Sequence, residues 1–247
     1  MKTTTPWIRW AALCVPFTLF CATPAIAAPP AKKAKPTRPM DFPGLHRYHA
    51  ANASLKAPAP GENRVVFMGD SITDAWIRKD GDFFSKNPYI DRGISGQTTQ
   101  QMLIRFRPDV IDLKPKVVVI LAGINDLAGN TGPATPEEIE GNLMSMVQLA
   151  HANGIQVVLS SILPAKYFPW RKDQPDPRKT IQSMNAWMKD YATKSGCIYL
   201  DYYSHMADSE NGLKTELAQD AVHPNKAGYG VMEPLAQKAI AEALKLK

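Results

Sequence analysis

The strongest constraint on the fold of this chain is a regular alternation of short apolar runs with longer segments of helical periodicity. The apolar runs, several of them rich in valine and isoleucine, are typical of buried strands and cover residues 65–68, 89–92, 117–121, 155–159 and 198–200. The helical segments cover residues 73–78, 98–106, 136–151, 178–194 and 226–246. Because strands that alternate with helices form parallel sheets, we predict a three-layer α/β domain, in which a five-stranded parallel sheet carries helices on both faces.

Local signals indicate where some of these helices begin and end. Thr135 is a suitable N-cap and Pro136 a suitable first helical residue, and the Asn-Gly pair at 153–154 stops the same helix. Pro108 is expected to end an earlier helix, because proline has no N–H to continue the hydrogen bonding. Before the first strand, residues 41–63 predict a short helix packed on the domain.

The first 27 residues have the pattern of a secretory signal peptide. Two basic residues, Lys2 and Arg9, precede an apolar run over residues 10–20. The tripeptide at 25–27 has small residues at the positions that signal peptidase requires. The run is too short to span a bilayer comfortably, so we expect cleavage and a periplasmic or secreted product without a stable membrane anchor. The alternatives are an uncleaved anchor or a lipoprotein signal at Cys21, which the bulky Phe20 disfavours.

The remainder divides into a tether and a folded domain. Residues 28–40, rich in alanine, proline and lysine, predict a flexible basic tether, and residues 41–247 form the predicted domain. Much of the formal net charge of +6 lies near the N-terminus, outside any core, and so does not favour a nucleic-acid partner. Cleavage would leave Cys197 as the one cysteine, without a disulfide, and we interpret it as a buried apolar residue.

Polar residues follow the predicted strands where parallel α/β sheets bind ligands, beyond the carboxyl ends of the strands. Residues 69–71 (Gly-Asp-Ser) follow the first strand, Gly93 follows the second, and residues 123–126 (Gly-Ile-Asn-Asp) follow the third. Asp220 and His223 lie just before the last helix. The pattern therefore predicts a serine, two amide donors and an Asp/His pair at one edge of the sheet.

This set of groups is what acyl transfer requires. A serine hydroxyl needs a base to accept its proton, so we predict that Ser71 is the nucleophile and His223 the general base. Asp220, three residues before the histidine, would orient the imidazole. The backbone N–H groups of Ser71 and Gly93 and the side-chain amide of Asn125 are predicted to form the oxyanion hole.

In these four ordered blocks the chain resembles the SGNH hydrolases, also called the GDSL esterase/lipase family. The resemblance covers roughly residues 63–240 and implies a flavodoxin-like sheet, metal-free hydrolysis of esters and the roles given above. The second block departs from the pattern, because Arg92 stands where many members have asparagine before the glycine, and this weakens the assignment of Gly93. Asp70 and Asp126 are interpreted as structural support that holds backbone amides of their own loops.

Each of these residues also has a plainer interpretation. Ser71 would serve as a helix N-cap, Asn125 as a turn residue, and His223 as a residue of the helix entry. The four blocks in order favour the catalytic interpretation. The remaining histidines lack partners at metal-binding spacing, so we predict no metal and no other cofactor.

A long loop over residues 163–178 is expected to lie over the catalytic edge. Its aromatic residues Tyr167, Phe168 and Trp170 are candidate substrate contacts, because aromatic faces stack on sugar rings or acyl chains. The alternative is that they pack the loop onto the body of the domain.

The family resemblance and the predicted export together indicate a class of substrate. Short exported members of the family resemble carbohydrate acetylesterases, which implies an ester substrate with a small acyl group, acetyl first, on carbohydrate. The alternatives are a lysophospholipase or thioesterase that prefers longer chains, and an acyltransferase with the same triad. Outside enzymes, a polysaccharide-binding module would need no such triad, and a nucleotide-binding protein is disfavoured because Asp70 would repel phosphate. The sequence does not specify an oligomeric state.

Overall fold

In the computed structural model, which describes residues 41–246, five short strands form one parallel sheet. They are β1 (Val65–Gly69), β2 (Tyr89–Gly93), β3 (Val117–Leu121), β4 (Gln156–Ser160) and β5 (Ile198–Leu200). Their order is β2-β1-β3-β4-β5, and every neighbouring pair is parallel. All residues of β1 and β3 are buried, because helices cover both faces of the sheet, and this explains their unbroken apolar sequences.

The described residues form nine helices and two 3₁₀ turns. The helices are α1 (His49–Ser54), α2 (Ser71–Lys79), α3 (Gly81–Ser85), α4 (Thr99–Asp109), α5 (Ile124–Leu127), α6 (Pro136–Ala152), α7 (Arg178–Ser195), α8 (Tyr203–Met206) and α9 (Lys226–Ala243), and the 3₁₀ turns are Ile111–Leu113 and Thr215–Leu217. The structure confirms the five predicted helices and the short helix before β1. The sequence patterns missed α3, α5 and α8, which are too short to show a helical period.

Two hydrophobic clusters lie on the two faces of the sheet. One cluster includes Phe106 of α4 and Met188 of α7. The other includes Trp76 of α2 and Tyr229 of α9. The helices therefore pack on both faces, and the predicted α/β class with a five-stranded parallel sheet is confirmed. Cys197 is 8% exposed, in agreement with its prediction as a buried apolar residue.

One helix boundary differs from its prediction. The sequence predicts that Pro108 ends a helix, yet α4 continues through it to Asp109. Proline in the last turn removes only one hydrogen bond, that to the carbonyl oxygen of Ile104, whose residue is exposed. The carbonyl oxygen of Pro108 accepts instead from Nδ2 of Asn52 in α1, which fastens the two helices together.

Other predictions concern the N-terminal part of the chain. The signal peptide over residues 1–27 and the tether over residues 28–40 lie outside the described residues and stay predictions. Over residues 41–246, no helix has the length and apolar character needed to cross a membrane.

Candidate active site

The candidate nucleophile lies where β1 passes into α2. Gly69 ends the strand, and a Cβ here would lie 2.0 Å from Oγ1 of Thr73, so only glycine fits against the helix. Asp70 is the N-cap of α2, and its Oδ1 accepts from the backbone N–H of Ile72 at 2.9 Å. This bond is the supporting role expected of Asp70. Ser71 is therefore the first helical residue, half-buried at the carboxyl edge of the sheet.

The serine, the histidine and the late aspartate of the sequence prediction meet at this edge. Oγ of Ser71 lies 2.9 Å from Nε2 of His223, although 152 positions separate the two residues in the chain. Nδ1 of His223 lies 2.9 Å from Oδ2 of Asp220. An ionised carboxylate only accepts hydrogen bonds, so Nδ1 carries the proton and Nε2 is left to accept from the serine hydroxyl.

Asp220 is held by its own turn. Its Oδ1 accepts from the backbone N–H groups of Val222, at 2.9 Å, and His223, at 2.8 Å. Burial raises the pKa of this carboxyl, but the N–H groups and the imidazole outweigh burial, and the net effect lowers the pKa of Asp220. The turn leads into α9, where Asn225 caps the helix by accepting from the N–H of Gly228 at 3.0 Å. Asp220 is thus a carboxylate at neutral pH, beside the imidazole that it orients.

The candidate amide, Asn125, is buried in α5, just after β3. Its Nδ2 donates to the carbonyl oxygen of Gln97 at 3.0 Å, and its Oδ1 accepts from Nδ2 of Asn130 at 2.9 Å. Among the described residues, the second Nδ2 hydrogen of Asn125 has no protein acceptor. Asn125 lines one cleft together with Ser71 and His223, so that hydrogen is available to a ligand.

Asp126 has a different partner from the predicted one. Its carboxylate accepts from the backbone N–H of Thr99 at 3.0 Å and from the hydroxyl of the same residue at 2.6 Å. It therefore caps the start of α4 from α5, the short helix that follows β3. Burial raises the pKa of Asp126 to about 6, against the lowering effect of the bonds from Thr99.

Gly93, predicted as an oxyanion donor, does not reach the cleft. It is buried at the end of β2, where its N–H donates to Oδ1 of Asp91 at 2.7 Å. Its carbonyl oxygen accepts from the hydroxyl of Tyr48. A Cβ at this position would lie 2.1 Å from the backbone nitrogen of Asp74, so glycine is required because α2 packs against the strand. The prediction for Gly93 is wrong because its N–H already has an internal acceptor.

The glycine that lines the cleft is Gly96, later in the same block. It is exposed, has a φ of +80°, and its carbonyl oxygen accepts from Nδ2 of Asn130 at 3.0 Å. Within the part of the chain that the structure describes, its N–H has no protein acceptor. Gly93 and Gly96 belong to one Gly-Ile-Ser-Gly segment, in which only Gly93 directly follows the predicted strand.

The cleft has a volume of about 220 Å³, and its lining residues are Ser71, Gly96, Asn125, Asn130, Trp170 and His223. The ring of Trp170, a residue 40% exposed, stands 5.9 Å from the imidazole of His223. Tyr167 is 57% exposed and lines a neighbouring recess of about 340 Å³ that reaches Asp220. Phe168 is 1% exposed and belongs to the core, so its prediction as a substrate contact is wrong, and it anchors the loop instead.

Two carboxyls near the nucleophile turn are buried without full hydrogen bonding. Oδ2 of Asp70 and Oδ2 of Asp91 have no partner among the described residues. Burial raises the pKa of each to about 7, although the N–H of Ile72 and the N–H of Gly93 have lowering effects. Both carboxyls therefore change their protonation near neutral pH, which makes the stability of this region depend on pH.

Arg105, for which the sequence predicts no role, bonds to several parts of this edge. It is fully buried, and it donates to the carbonyl oxygen of Gly69 and to Oδ2 of Asp109, each at 3.0 Å. Its Nε donates to Oε1 of Gln97, the residue whose carbonyl oxygen holds Asn125. An arginine in a helix is typical of a surface position, so nothing in the local sequence indicates this role.

The cleft combines a serine hydroxyl, a base aligned by a carboxylate, and N–H groups without protein acceptors. These are the groups that attack an acyl carbon and stabilise the oxyanion that forms. Residues 41–246 contain no group of three or more His, Cys, Asp or Glu side chains that could hold a metal ion.

The chain is similar to proteins of a known family and to several solved structures. Residues 67–231 match the profile of the GDSL-like Lipase/Acylhydrolase family. A solved structure of a GDSL-like lipase from Bacteroides thetaiotaomicron is 46% identical, with a TM-score of 0.81, over 82% of this chain and 100% of that chain. An acetylxylan esterase from Geobacillus stearothermophilus is 27% identical over 203 residues, 68% of this chain and 90% of the relative. The uncharacterized lipoprotein YqeF from Bacillus subtilis is 26% identical over 146 residues, and the match spans 52% of this chain and 60% of YqeF.

Proposed function

This chain belongs to the GDSL-like lipase/acylhydrolase family and is a carboxylic ester hydrolase, and on that premise we propose that it is an exported serine esterase that removes small acyl groups, acetyl first, from carbohydrate. The observation that carries the proposal is the hydrogen-bonded line of three side chains. It runs from Oγ of Ser71 to Nε2 of His223 at 2.9 Å, and from Nδ1 of His223 to Oδ2 of Asp220 at 2.9 Å.

In the first half of the proposed reaction, Oγ of Ser71 attacks the ester carbonyl carbon while its proton moves to Nε2 of His223. The electron pair of the carbonyl bond moves to oxygen, and the resulting oxyanion would accept hydrogen bonds from the backbone N–H groups of Ser71 and Gly96 and from the side-chain amide of Asn125. Each such donor typically lowers the barrier by about 3–4 kcal/mol. When the carbonyl re-forms, the bond to the alcohol oxygen breaks, and the alcohol leaves with the proton from His223.

In the second half, water hydrolyses the acyl-enzyme. His223 accepts a proton from a water molecule while the water oxygen attacks the acyl carbon. The same N–H groups donate hydrogen bonds to the second oxyanion. Collapse releases the carboxylic acid and returns the proton to Oγ of Ser71. Asp220 stabilises the imidazolium that forms in each half-reaction, and it does so as a carboxylate because its pKa is lowered.

The preference for a small acyl group rests on the dimensions of the cleft. Its volume of about 220 Å³ lies below the roughly 300–1,000 Å³ of pockets that hold drug-sized ligands. Trp170 and Asn130 form part of its wall, joined by a hydrogen bond of 2.8 Å from Nε1 of the tryptophan. The acetylxylan esterase among the relatives supports an acetylated carbohydrate as the substrate.

Carbohydrate and export have further support. Tyr167 and Trp170 are exposed aromatic residues beside the triad, and aromatic rings stack on sugar rings. The signal-peptide pattern over residues 1–27 supports export, and one relative is described as a lipoprotein. A polymer outside the cytoplasm would meet the enzyme there.

The test is hydrolysis of a series of p-nitrophenyl esters, acetate through palmitate, and of acetylated xylan, by the wild-type protein and the Ser71→Ala variant. We expect kcat/KM for acetate to exceed that for octanoate at least about tenfold, because extra methylenes do not fit a small acyl pocket. Ser71→Ala should lose at least about 10³-fold in kcat and keep its fold.

Other outcomes would redirect the proposal. Preference for long chains would favour a lysophospholipase or thioesterase, and transfer to an added sugar in place of release of acid would favour an acyltransferase. Equal turnover by wild type and Ser71→Ala would overturn the serine mechanism, and absence of turnover by both would favour a polysaccharide-binding module.

A further inference from the structure

Asn130 lies at the cleft because the chain turns back after α5. Its backbone N–H donates to the carbonyl oxygen of Asn125 at 3.0 Å. Gly129, immediately before it, has a φ of +67°, which favours glycine, and its carbonyl oxygen accepts from Nη1 of Arg171 at 2.6 Å. The position of Asn130 is therefore set by backbone contacts and by the loop that carries Trp170.

The orientation of the Asn130 amide is determined by neighbours that have only one hydrogen-bonding character. The carbonyl oxygen of Gly96 can only accept, so the group 3.0 Å away is Nδ2 of Asn130. The indole N–H of Trp170 can only donate, so the group 2.8 Å away is Oδ1 of Asn130. No other orientation satisfies both neighbours.

The orientation of the Asn125 amide is determined by its neighbours in the same way. The carbonyl oxygen of Gln97 must receive Nδ2 of Asn125, which turns Oδ1 toward Asn130, and Nδ2 of Asn130 donates to it at 2.9 Å. Rotation of the Asn125 amide by 180° would place two donors against each other and an oxygen against a carbonyl. Asn130 thus holds the free Nδ2 hydrogen of Asn125 toward the cleft.

We propose that Asn130 is a positioning residue of the oxyanion hole, an inference that rests on the proposed function. It bonds to both non-serine candidates for the hole, to the side chain of Asn125 and to the carbonyl oxygen of Gly96. It also extends the hole into a series of donors that runs from Trp170 through Asn130 to Asn125. Each group in this series accepts from the one before and donates to the next, so the bonds polarise one another as negative charge develops on the oxyanion.

The test compares kcat and KM for p-nitrophenyl acetate across single and double variants. Asn130→Ala should lower kcat by about 10- to 100-fold, less than full removal of an oxyanion donor, because Asn125 remains but loses its alignment. KM should stay within about threefold, because the donors act on charge that exists only in the transition state. Asn153→Ala is the matched control, since Asn153 is an exposed amide at the end of α6 that donates to Leu149, and it should leave kcat unchanged.

Two further variants separate positioning from a general structural effect. On an Asn125→Ala background, Asn130→Ala should add less than about a twofold loss in kcat if it acts mainly through Asn125. Trp170→Phe keeps the ring beside His223 but removes the indole N–H, and we expect a loss of a few fold in kcat. If Asn130→Ala does not fold, Trp170→Phe still tests the donor series from Trp170 through Asn130 to Asn125, because it leaves no cavity.

The results distinguish this inference from the proposed function. A wild-type enzyme that depends on Ser71, with kcat unaltered in Asn130→Ala, overturns the positioning role alone. A loss confined to KM overturns it as well, and full multiplication of the losses in the double variant overturns positioning through Asn125. Absence of turnover that depends on Ser71 overturns both proposals.

Discussion

The two halves of the cleft are built differently. The nucleophile half consists of Ser71, Asn125 and the turns after β1 and β3, and its supporting groups are deeply buried: Asp70 is 0% and Asn125 1% exposed. The base half is the turn from Asp220 to His223, whose two side chains are 36% and 22% exposed. Long-range contacts fix the first half, whereas the second is a local turn closed by one carboxylate.

This difference matches what each half does in the proposed reaction. Oxyanion donors are most effective when they need no reorganisation as charge develops, and burial in a hydrogen-bonded network provides that rigidity. The imidazole must accept a proton from one oxygen and return it to another, which a half-exposed turn permits. We therefore expect substitutions in the nucleophile half to lower both stability and activity. Substitutions in the base half should lower mainly activity.

The largest expected effect is on folding, at Gly93, where β2 packs against α2, the helix that begins with the nucleophile. Gly93→Ala would place a Cβ 2.1 Å from the backbone nitrogen of Asp74, so α2 and β2 would have to move apart. We expect loss of a cooperative thermal transition, measured by circular dichroism. Gly230→Ala, in α9, is the matched control, because a Cβ at Gly230 meets no atom within 4 Å. Its Tm should equal or exceed that of the wild type. A normal Tm for Gly93→Ala would contradict the packing explanation.

The next largest effect is on activity alone, in the base half. Asp220→Asn keeps an oxygen that can accept from Val222 and His223 but removes the charge that holds the imidazole tautomer. We expect kcat to fall by about 10³–10⁴-fold, with Tm within a few degrees of wild type, in steady-state kinetics and thermal melts of the same samples. A stability loss as large as that of Gly93→Ala would remove the distinction between the two halves.

A smaller effect on kcat is expected from Asn125→Ala. Removal of one oxyanion donor typically costs about 10²–10³-fold in kcat. Because Asn125 also bonds Gln97 and Asn130 inside the buried half, its loss should lower Tm more than Asp220→Asn does. Kinetics and thermal melts of the same samples measure both effects. A lower Tm for Asp220→Asn than for Asn125→Ala would contradict the difference between the two halves.

The smallest effect concerns stability against pH. The pKa of Asp70 is raised by burial from an ordinary value of 3.8 to about 7 in the folded protein. Between about pH 4 and 7 the folded state therefore binds this proton more strongly than the unfolded state, and the contribution of Asp70 to the free energy of unfolding falls as pH rises. Asp70→Asn cannot ionise and should lack this fall.

Urea unfolding at pH 5 and pH 8 measures the difference. We expect the free energy of unfolding of Asp70→Asn, relative to wild type, to increase by at least about 1 kcal/mol between the two values of pH. Parallel behaviour of the two proteins would show that Asp70 is not the titrating group. Asp220→Asn is the contrasting control, because the pKa of Asp220 is lowered and its contribution is already complete above pH 5.

Several features of the cleft escaped the sequence patterns for one reason. The patterns selected Gly93 because it ends a strand, yet the neighbouring Asp91 takes its N–H and the later Gly96 lines the cleft. Phe168 and Trp170 look alike as aromatic loop residues, but one is in the core and the other is at the cleft. Such distinctions depend on which distant groups come to lie beside a residue.

The sequence by itself determined the strand–helix alternation, the position of Ser71 after β1 and the pairing of Asp220 with His223. These are short-range properties: apolar periodicity selects each element, and a spacing of three residues lets one turn join the carboxylate to the imidazole. Only the tertiary structure decided which glycine faces the cleft and how the donors are held. Those contacts join residues that the chain separates widely, 40 positions between Asn130 and Trp170, and arise only when the sheet brings its loops to one edge.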